Sequence, residues 1–296
     1  MMRNLLLSLT ASALGLATHP ALAAADAGSQ SASAQSGWGL LNLPQGVTAI
    51  SREIYGLHMF VFWICVAIGV VVFGAIIYSL FAFRRSKGAV ADTSLTHSTR
   101  VEVIWTSIPA IILVVCAVPA ARTLIHTEDL RNTELTIRVT GFQWGWRYEY
   151  LDKGVSFYSR LDRASDAARQ LNSGVDPATV PHYLLNVDNP MVVPVGTKVR
   201  LLLTAQDVIH SWWVPDFGVK KDAIPGFVNE AWFDVDADKP GVYRGNCAEL
   251  CGRDHGFMPI VVDARSKADF DAWLNSKAAP PAASAGQPPV QPVAAN

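Results

Sequence analysis

The chain has 296 residues, about twice a typical domain, of which 50% are hydrophobic and only 17% charged, against a usual charged share of about 25%. That balance excludes a disordered protein and an ordinary soluble enzyme, and a net charge of −1 excludes a strongly basic nucleic-acid binder. Four cysteines are too few for a disulfide framework in so long a chain, which leaves an integral membrane protein as the reading to develop.

The N-terminus carries the three parts of an export signal: Arg3, an apolar stretch from Leu5 to Ala17, and the small-residue cleavage site Ala21-Leu22-Ala23. Residues 1–23 are therefore expected to be a signal peptide. A first membrane span is the competing reading, but Thr18, His19 and Pro20 interrupt the apolar part. Residues 24–56 then form an exported leader, whose first part is rich in Ala, Ser, Gln and Gly.

Two later runs are long enough to span a bilayer. Thirty residues without formal charge separate Glu53 from Arg84, and nineteen separate Glu102 from Arg122; a crossing needs about 20 apolar residues. Spans are expected at about 57–83 and 103–121, within a hairpin at 57–125. Pro109 and Pro119 fall inside the second span, where neighbouring helices can satisfy the freed backbone groups. The alternative is a pair of buried helices in a large soluble core. The connecting loop, 84–100, has Arg84, Arg85, Lys87 and Arg100 against Asp92, net +3. The excess of basic residues puts this loop in the cytoplasm and both mature termini outside. An export signal requires the same N-terminal placement. A bacterial-type inner membrane, with the protein multi-pass and in contact with lipid, is the expected location.

Residues 126–277 read as one exported domain. Leu135–Thr140, Met191–Val193, Lys198–Ala205, Ala231–Val235 and Pro259–Asp263 are short runs rich in Val, Leu, Ile, Thr and Phe, separated by Gly, Pro, Asn and Asp turns. The spacing predicts an all-β sandwich or barrel. Residues 160–182 break it as a polar, Ala-containing insertion with a helical turn. Ser266–Asn275 predicts a terminal amphipathic helix capped by Ser266, and the Ala/Pro-rich tail, 278–296, is expected to be disordered.

The segment Cys247-Ala248-Glu249-Leu250-Cys251-Gly252-Arg253-Asp254-His255-Gly256-Phe257-Met258 places two thiols, an imidazole and a thioether within twelve residues, with His210 upstream in His210-Ser211-Trp212. Soft sulfur ligands with His select copper. A mononuclear blue site needs one Cys. A second on the same loop permits both sulfurs to bridge two copper ions, one imidazole serving each, with Met258 and a backbone carbonyl completing the spheres. A Cys247–Cys251 disulfide competes, but leaves His255 and Met258 without a role. Structural zinc competes too, although Met is a poor zinc ligand. A membrane-anchored thioredoxin-like copper chaperone also uses C-x-x-x-C plus a distant His, in a βαβ setting that the strand pattern opposes.

Hairpin, strand-rich domain and metal motif together resemble subunit II of the haem–copper (aa3-type) cytochrome c oxidases, over about residues 40–277. The resemblance implies a membrane-anchored α+β chain: a two-helix hairpin followed by a cupredoxin-like domain holding a dinuclear copper centre, CuA. It implies that His210, Cys247, Cys251, His255 and Met258 bind copper through side chains and Glu249 through its carbonyl, and that the Glu249 carboxylate reaches a magnesium ion shared with subunit I. It implies that Trp144 receives the electron from cytochrome c, and that Glu102, opening Glu102-Val103-Ile104-Trp105, lies at the mouth of a proton path. A carboxylate there is otherwise ordinary complementation of the helix dipole.

The alternating Phe142, Trp144, Trp146, Tyr148 and Tyr150 predict five rings on one strand face. The family pattern has His where Phe142 stands and Tyr where Gly145 stands, so the docking surface differs in detail. From His126 onward there are 17 Lys/Arg and 21 Asp/Glu, a balance of −4, which suits a basic cytochrome c; Asp207 and Asp222 are candidate contributors. The implied activity is that of a proton-pumping cytochrome c oxidase, with haem only in the partner subunit, since this chain has no C-x-x-C-H motif. Further oxidase subunits, and no nucleic acid, are the expected partners. A quinol-oxidase subunit II would lack the copper ligands, and a nitrous-oxide reductase would need a propeller domain for which there is no room. A non-enzymatic membrane-anchored copper carrier is the alternative from another class.

Overall fold

Thr48 starts the first helix, α1 (Ala49–Ala82), by a reciprocal cap: its hydroxyl accepts from the Ser51 N–H at 3.0 Å, and Ser51 Oγ accepts from the Thr48 N–H at 3.1 Å. The computed structural model describes residues 41–278 apart from 89, 91–93, 95 and 96. The signal peptide, the leader before residue 41, Asp92 and the tail beyond residue 278 lie outside the described residues.

The second helix, α2 (Thr99–Thr127), runs through Pro109 and Pro119 without a break. It returns antiparallel to α1, since His126 Nδ1 near its end lies 2.7 Å from Glu53 Oε2 near the start of α1. Both helices expose apolar side chains such as Trp63, Val70, Phe73, Trp105 and Leu113. Their most apolar windows are wholly unburied within the chain, opposite to the buried-helix alternative. The first helix begins before its expected span, where Thr48 caps it, and the second extends beyond its expected span at both ends.

The rest is two five-stranded sheets. One has the order β3 (Val155–Ser159), β2 (Gly145–Tyr150), β1 (Leu135–Phe142), β5 (Lys198–Ala205), β8 (Asn229–Asp234). The other has the order β4 (Met191–Pro194), β10 (Pro259–Arg265), β9 (Gly241–Cys247), β6 (His210–Val214), β7 (Val219–Ala223). The five runs read from the sequence are β1, β4, β5, β8 and β10. Strand β5 shows why: Val199, Leu201, Leu203 and Ala205 are buried while Lys198, Arg200, Leu202 and Thr204 are half-exposed. Between the sheets lie Ile137, Val139, Trp146, Tyr148, Leu201, Trp212, Phe233, Tyr243 and Ile260.

The insertion contains the short helix α3 (Arg163–Ala168) and a 3-10 turn at Pro177–Thr179. The last helix, α4 (Lys267–Ala278), is capped by Ser266, whose hydroxyl accepts from the Asp269 N–H at 3.1 Å. It buries Phe270 and packs Trp273 and Leu274 on the core.

One expectation is corrected. The five aromatic residues do not share a strand face: Phe142 ends β1, Gln143 and Trp144 form a two-residue turn, and only Trp146, Tyr148 and Tyr150 line the buried face of β2. Phe142 pairs with Gly145 across the hairpin. Period-two alternation continues in sequence through a turn that reverses the chain, so the pattern could not reveal it.

The residues leading into α1 are built into the β domain. The Val47 N–H donates to the Asp216 carbonyl at 2.9 Å, the Asp236 N–H to the Val47 carbonyl at 3.0 Å, and Thr48 Oγ1 to the Phe217 carbonyl at 2.9 Å. Val47 and Ile50 are buried. Arg52 makes a two-pronged bond to Asp236, at 2.5 and 3.1 Å. The domain is thus clamped to the end of the hairpin opposite the basic loop. Thr48→Ala removes the helix cap and the bond to Phe217 together. It is expected to cost about 1–2 kcal/mol and to lower the thermal unfolding midpoint of the full-length protein; an unchanged midpoint would show that the clamp does not stabilise the fold.

Candidate metal centre

His210 opens β6 and Cys247 closes β9, and these strands pair antiparallel with Trp212 opposite Cys247. The Ala248 N–H donates to the Ser211 carbonyl at 2.9 Å, extending the pairing to the start of the following loop. That loop, 248–258, returns into β10, whose Pro259 faces Asn246. One strand junction and one hairpin loop therefore bring the distant His210 to the sulfur-rich segment. Gly141 on β1 makes the approach possible, because a Cβ there would lie 2.8 Å from His210 Cδ2.

All six groups singled out for copper converge. The sulfurs of Cys247 and Cys251 are 3.8 Å apart, and both cysteines are free and buried. Cys247 Sγ has His210 Nδ1 at 3.9 Å and the Glu249 carbonyl at 3.4 Å. Cys251 Sγ has His255 Nδ1 at 3.5 Å and Met258 Sδ at 3.4 Å. Each sulfur thus has an imidazole and a weak terminal donor beside it. His210, Cys247 and Cys251 offer ligand atoms that all lie within 4.8 Å of one another. Two thiols, two imidazoles, a thioether and a carbonyl form a soft donor set that fits copper and suits no hard cation. The two-lobed arrangement fits a pair of ions, and it uses the His255 and Met258 that a disulfide would strand.

Electrostatics divides the sulfurs. Burial resists ionisation of Cys247, but the bond with His210, backbone groups of Ser211 and Glu249, and His255 outweigh it and draw the thiol down to about 7. Burial pushes the Cys251 thiol up to about 12, and the neighbouring Cys247 charge adds to the rise. Metal binding displaces such protons and makes both thiolates available.

His210 Nε2 lies 2.9 Å from Asp207 Oδ1. An acceptor-only carboxylate keeps the proton on Nε2 and turns the free Nδ1 toward the sulfur. Burial disfavours the charged ring, yet Cys247 and Asp207 together raise the His210 pKa. Burial likewise disfavours the Asp207 carboxylate, which hydrogen bonds from His210, Val208 and Gln143 nonetheless hold below its ordinary value. Asp207, read from the sequence as part of an acidic face, is thus an orienting partner of His210; its spacing three residues ahead of that His was the available signal. Asp222 is exposed on β7.

Trp144 is half-buried in the β1–β2 turn, and its indole N–H donates to the Cys251 carbonyl at 3.2 Å. Gln143 Nε2 donates to the same carbonyl at 2.9 Å, a contact that nothing in the sequence announced. Gly252, at φ +112°, keeps the loop open to both: a Cβ would lie 3.0 Å from Gln143 Nε2 and 3.2 Å from Trp144 Cζ2. Trp146 donates to the Met258 carbonyl at 3.3 Å from inside the core. Glu249 and Leu250 are exposed beside the centre. Glu102 is far from it, in the first turn of α2, with Oε1 at 2.6 Å from His97 Nδ1.

Residues 36–122 match the family model described as cytochrome c oxidase subunit II, transmembrane domain, and residues 135–265 the one described as its periplasmic domain. A probable cytochrome c oxidase subunit 2 of Rickettsia bellii is 42% identical over 77% of this chain and 80% of its own length. Cytochrome c oxidase subunit 2 of Cereibacter sphaeroides is 35% identical over 76% of each chain. The solved periplasmic domain of subunit II of cytochrome oxidase (CoxB) from Bradyrhizobium japonicum is 40% identical, with 50% of this chain and 96% of that chain covered and a TM-score of 0.42. The chain belongs to the cytochrome c oxidase subunit II family, whose two parts, a membrane anchor and a periplasmic domain, it carries in order.

Proposed function

We propose that this chain is the electron-accepting subunit of a proton-pumping cytochrome c oxidase, receiving electrons from cytochrome c and delivering them to haem in subunit I, where dioxygen is reduced to water. The convergence of two free sulfurs, each with its own imidazole and terminal donor, carries this reading. His210, Cys247, the Glu249 carbonyl, Cys251, His255 and Met258 would together hold the copper pair. When bound, the copper pair supplies a one-electron store whose unpaired electron spreads over two metals.

The chain's own residues do the rest. The buried sheet junction and the Trp146 bond to Met258 hold the donors still. Trp144 presents a partly exposed ring one hydrogen bond from the backbone of Cys251, which supports its role as the point of electron uptake. The acidic balance of the exported part supports docking of a basic cytochrome c. The apolar Ile209, Phe227, Val228 and Leu250 are exposed, Ile209 and Leu250 next to donor residues. With the apolar helix faces, they support a covering by subunit I and further subunits within the lipid-embedded complex. The Glu249 carboxylate, exposed beside the copper site, supports a magnesium site shared with subunit I. Glu102, at the end of the hairpin away from the copper donors, supports the mouth of a proton path. The export signal at 1–23, the leader at 24–56, the hairpin at 57–125, the exported domain at 126–277 and the tail complete this reading, in a bacterial-type inner membrane with both mature termini outside. A copper carrier is not favoured, because a carrier has no use for a buried centre tied to an exposed indole.

The purified complex is expected to contain two coppers per subunit II at this centre, with one electron shared by both in electron-spin resonance. Cys251→Ser should reduce that content to at most one and abolish the shared signal; zinc, or a one-copper blue spectrum in the unmodified protein, would overturn the assignment. Trp144→Leu should slow reduction by cytochrome c while the copper resonance stays as it was; a changed resonance would remove Trp144 from the uptake role. Glu102→Gln should slow steady-state turnover but leave reduction of the copper by cytochrome c unaltered, and unchanged turnover would return Glu102 to simple helix capping.

A further inference from the structure

The insertion at 160–182 is polar, yet the segment that carries it, 160–188, is zipped together at its stems. The Arg160 N–H donates to Asp188 Oδ1 at 2.8 Å, the Asp188 N–H to the Arg160 carbonyl at 3.0 Å, and the Asp162 N–H to the Asn186 carbonyl at 3.2 Å. Asp162 caps α3 by accepting from the Ser165 N–H at 2.6 Å, and the fully buried Ser165 hydroxyl accepts from the Leu184 N–H at 3.1 Å. A segment built this tightly presents its side chains in fixed positions.

The side chain it presents to the copper loop is Arg169, at the C-terminal end of α3. Arg169 Nε is held by Asp166 Oδ1 at 2.7 Å. The guanidinium lies 4.4 Å over the ring of Phe257, and Nη1 is 3.6 Å from Asp254 Oδ1. Asp254 and Phe257 bracket one 3-10 turn, His255–Phe257, closed by the Phe257 N–H donating to the Asp254 carbonyl at 2.9 Å. His255 is the first residue of that turn. One guanidinium therefore grips both ends of the turn that aims the His255 imidazole at Cys251. The contact is largely sheltered: the Arg169 and Asp254 side chains are only 23% and 14% exposed. The chain of contacts runs on, since Asp254 also accepts from Arg253 Nη2 at 3.1 Å, and the Arg253 guanidinium lies 5.5 Å over the Trp144 ring.

We propose that the insertion is a brace for the copper loop, with Arg169 the positioning residue that sets the orientation of His255; this rests on the reading of His255 as a copper ligand. A planar guanidinium can pair with a carboxylate and stack on a ring at once, which a lysine ammonium does less well. Partners outside the ligand set orient ligands, and losing one weakens metal retention about 10–100-fold.

The test uses the whole purified oxidase complex with Arg169→Ala, Arg169→Lys, Phe257→Leu and the double variant Arg169→Ala/Phe257→Leu. In Arg169→Ala, copper loss to bathocuproine disulfonate should be about tenfold faster or more, and the copper hyperfine pattern in electron-spin resonance should change. Arg169→Lys should recover part of both. The double variant should be little worse than either single one, because both remove the same contact. In complex stripped of copper, amide exchange across 254–258 should speed up in Arg169→Ala while that of β9 and β10 stays unchanged. Wild-type spectra, retention and exchange in Arg169→Ala would overturn the brace, as would additive losses in the double variant. Faster exchange in Arg169→Ala without paired copper in the unmodified complex would instead overturn the reading of His255 as a ligand, and with it the role of Arg169. Should Arg169→Ala fail to assemble, Arg169→Lys and Phe257→Leu decide by the same measurements.

Discussion

Two cysteine sulfurs held 3.8 Å apart, each facing its own histidine, are the constraint on which the rest of the structure depends. Two thiolates at that distance repel, and burial in the sheet junction strengthens the repulsion. The chain answers with asymmetry, drawing the Cys247 thiol down and pushing the Cys251 thiol up. Cys247 therefore ionises more readily than Cys251. A bound soft cation would relieve this conflict by supplying positive charge beside both sulfurs.

The surrounding fold supplies rigidity in successive layers. The β6–β9 pairing fixes His210 beside Cys247. Trp146 and the β1–β2 turn hold the far side of the loop through the carbonyls of Met258 and Cys251. The insertion closes over the remaining edge through Arg169. Small movement of the donors suits a metal site whose ligands are held ready in place.

The hairpin and the β domain form one unit because the entrance to α1 is threaded into the domain, through Val47, Thr48 and the Arg52–Asp236 pair. The candidate metal centre is thereby held to the end of the hairpin away from the basic loop. Glu102 sits at the other end of the hairpin, next to the basic loop. The candidate metal centre and Glu102 are thus held at opposite ends of the hairpin.

Much was legible in the sequence because the relevant signals are local. Length and lack of charge announced the two helices, alternation announced β5, and soft ligands within twelve residues announced where a candidate metal centre would form. Even the hydroxyl of Ser266 was readable as a cap. Tertiary structure alone decided the matters that join distant residues. Only strand pairing could bring His210 to Cys247, only the turn at Gln143–Trp144 could part Phe142 and Trp144 from the row that Trp146, Tyr148 and Tyr150 keep, and only packing could lay Arg169 across the loop that holds His255. The division is physical. Hydropathy and ligand softness are properties of neighbouring residues along the chain, whereas the approach of two sulfurs, an indole and a guanidinium depends on how separate strands come together around a shared core.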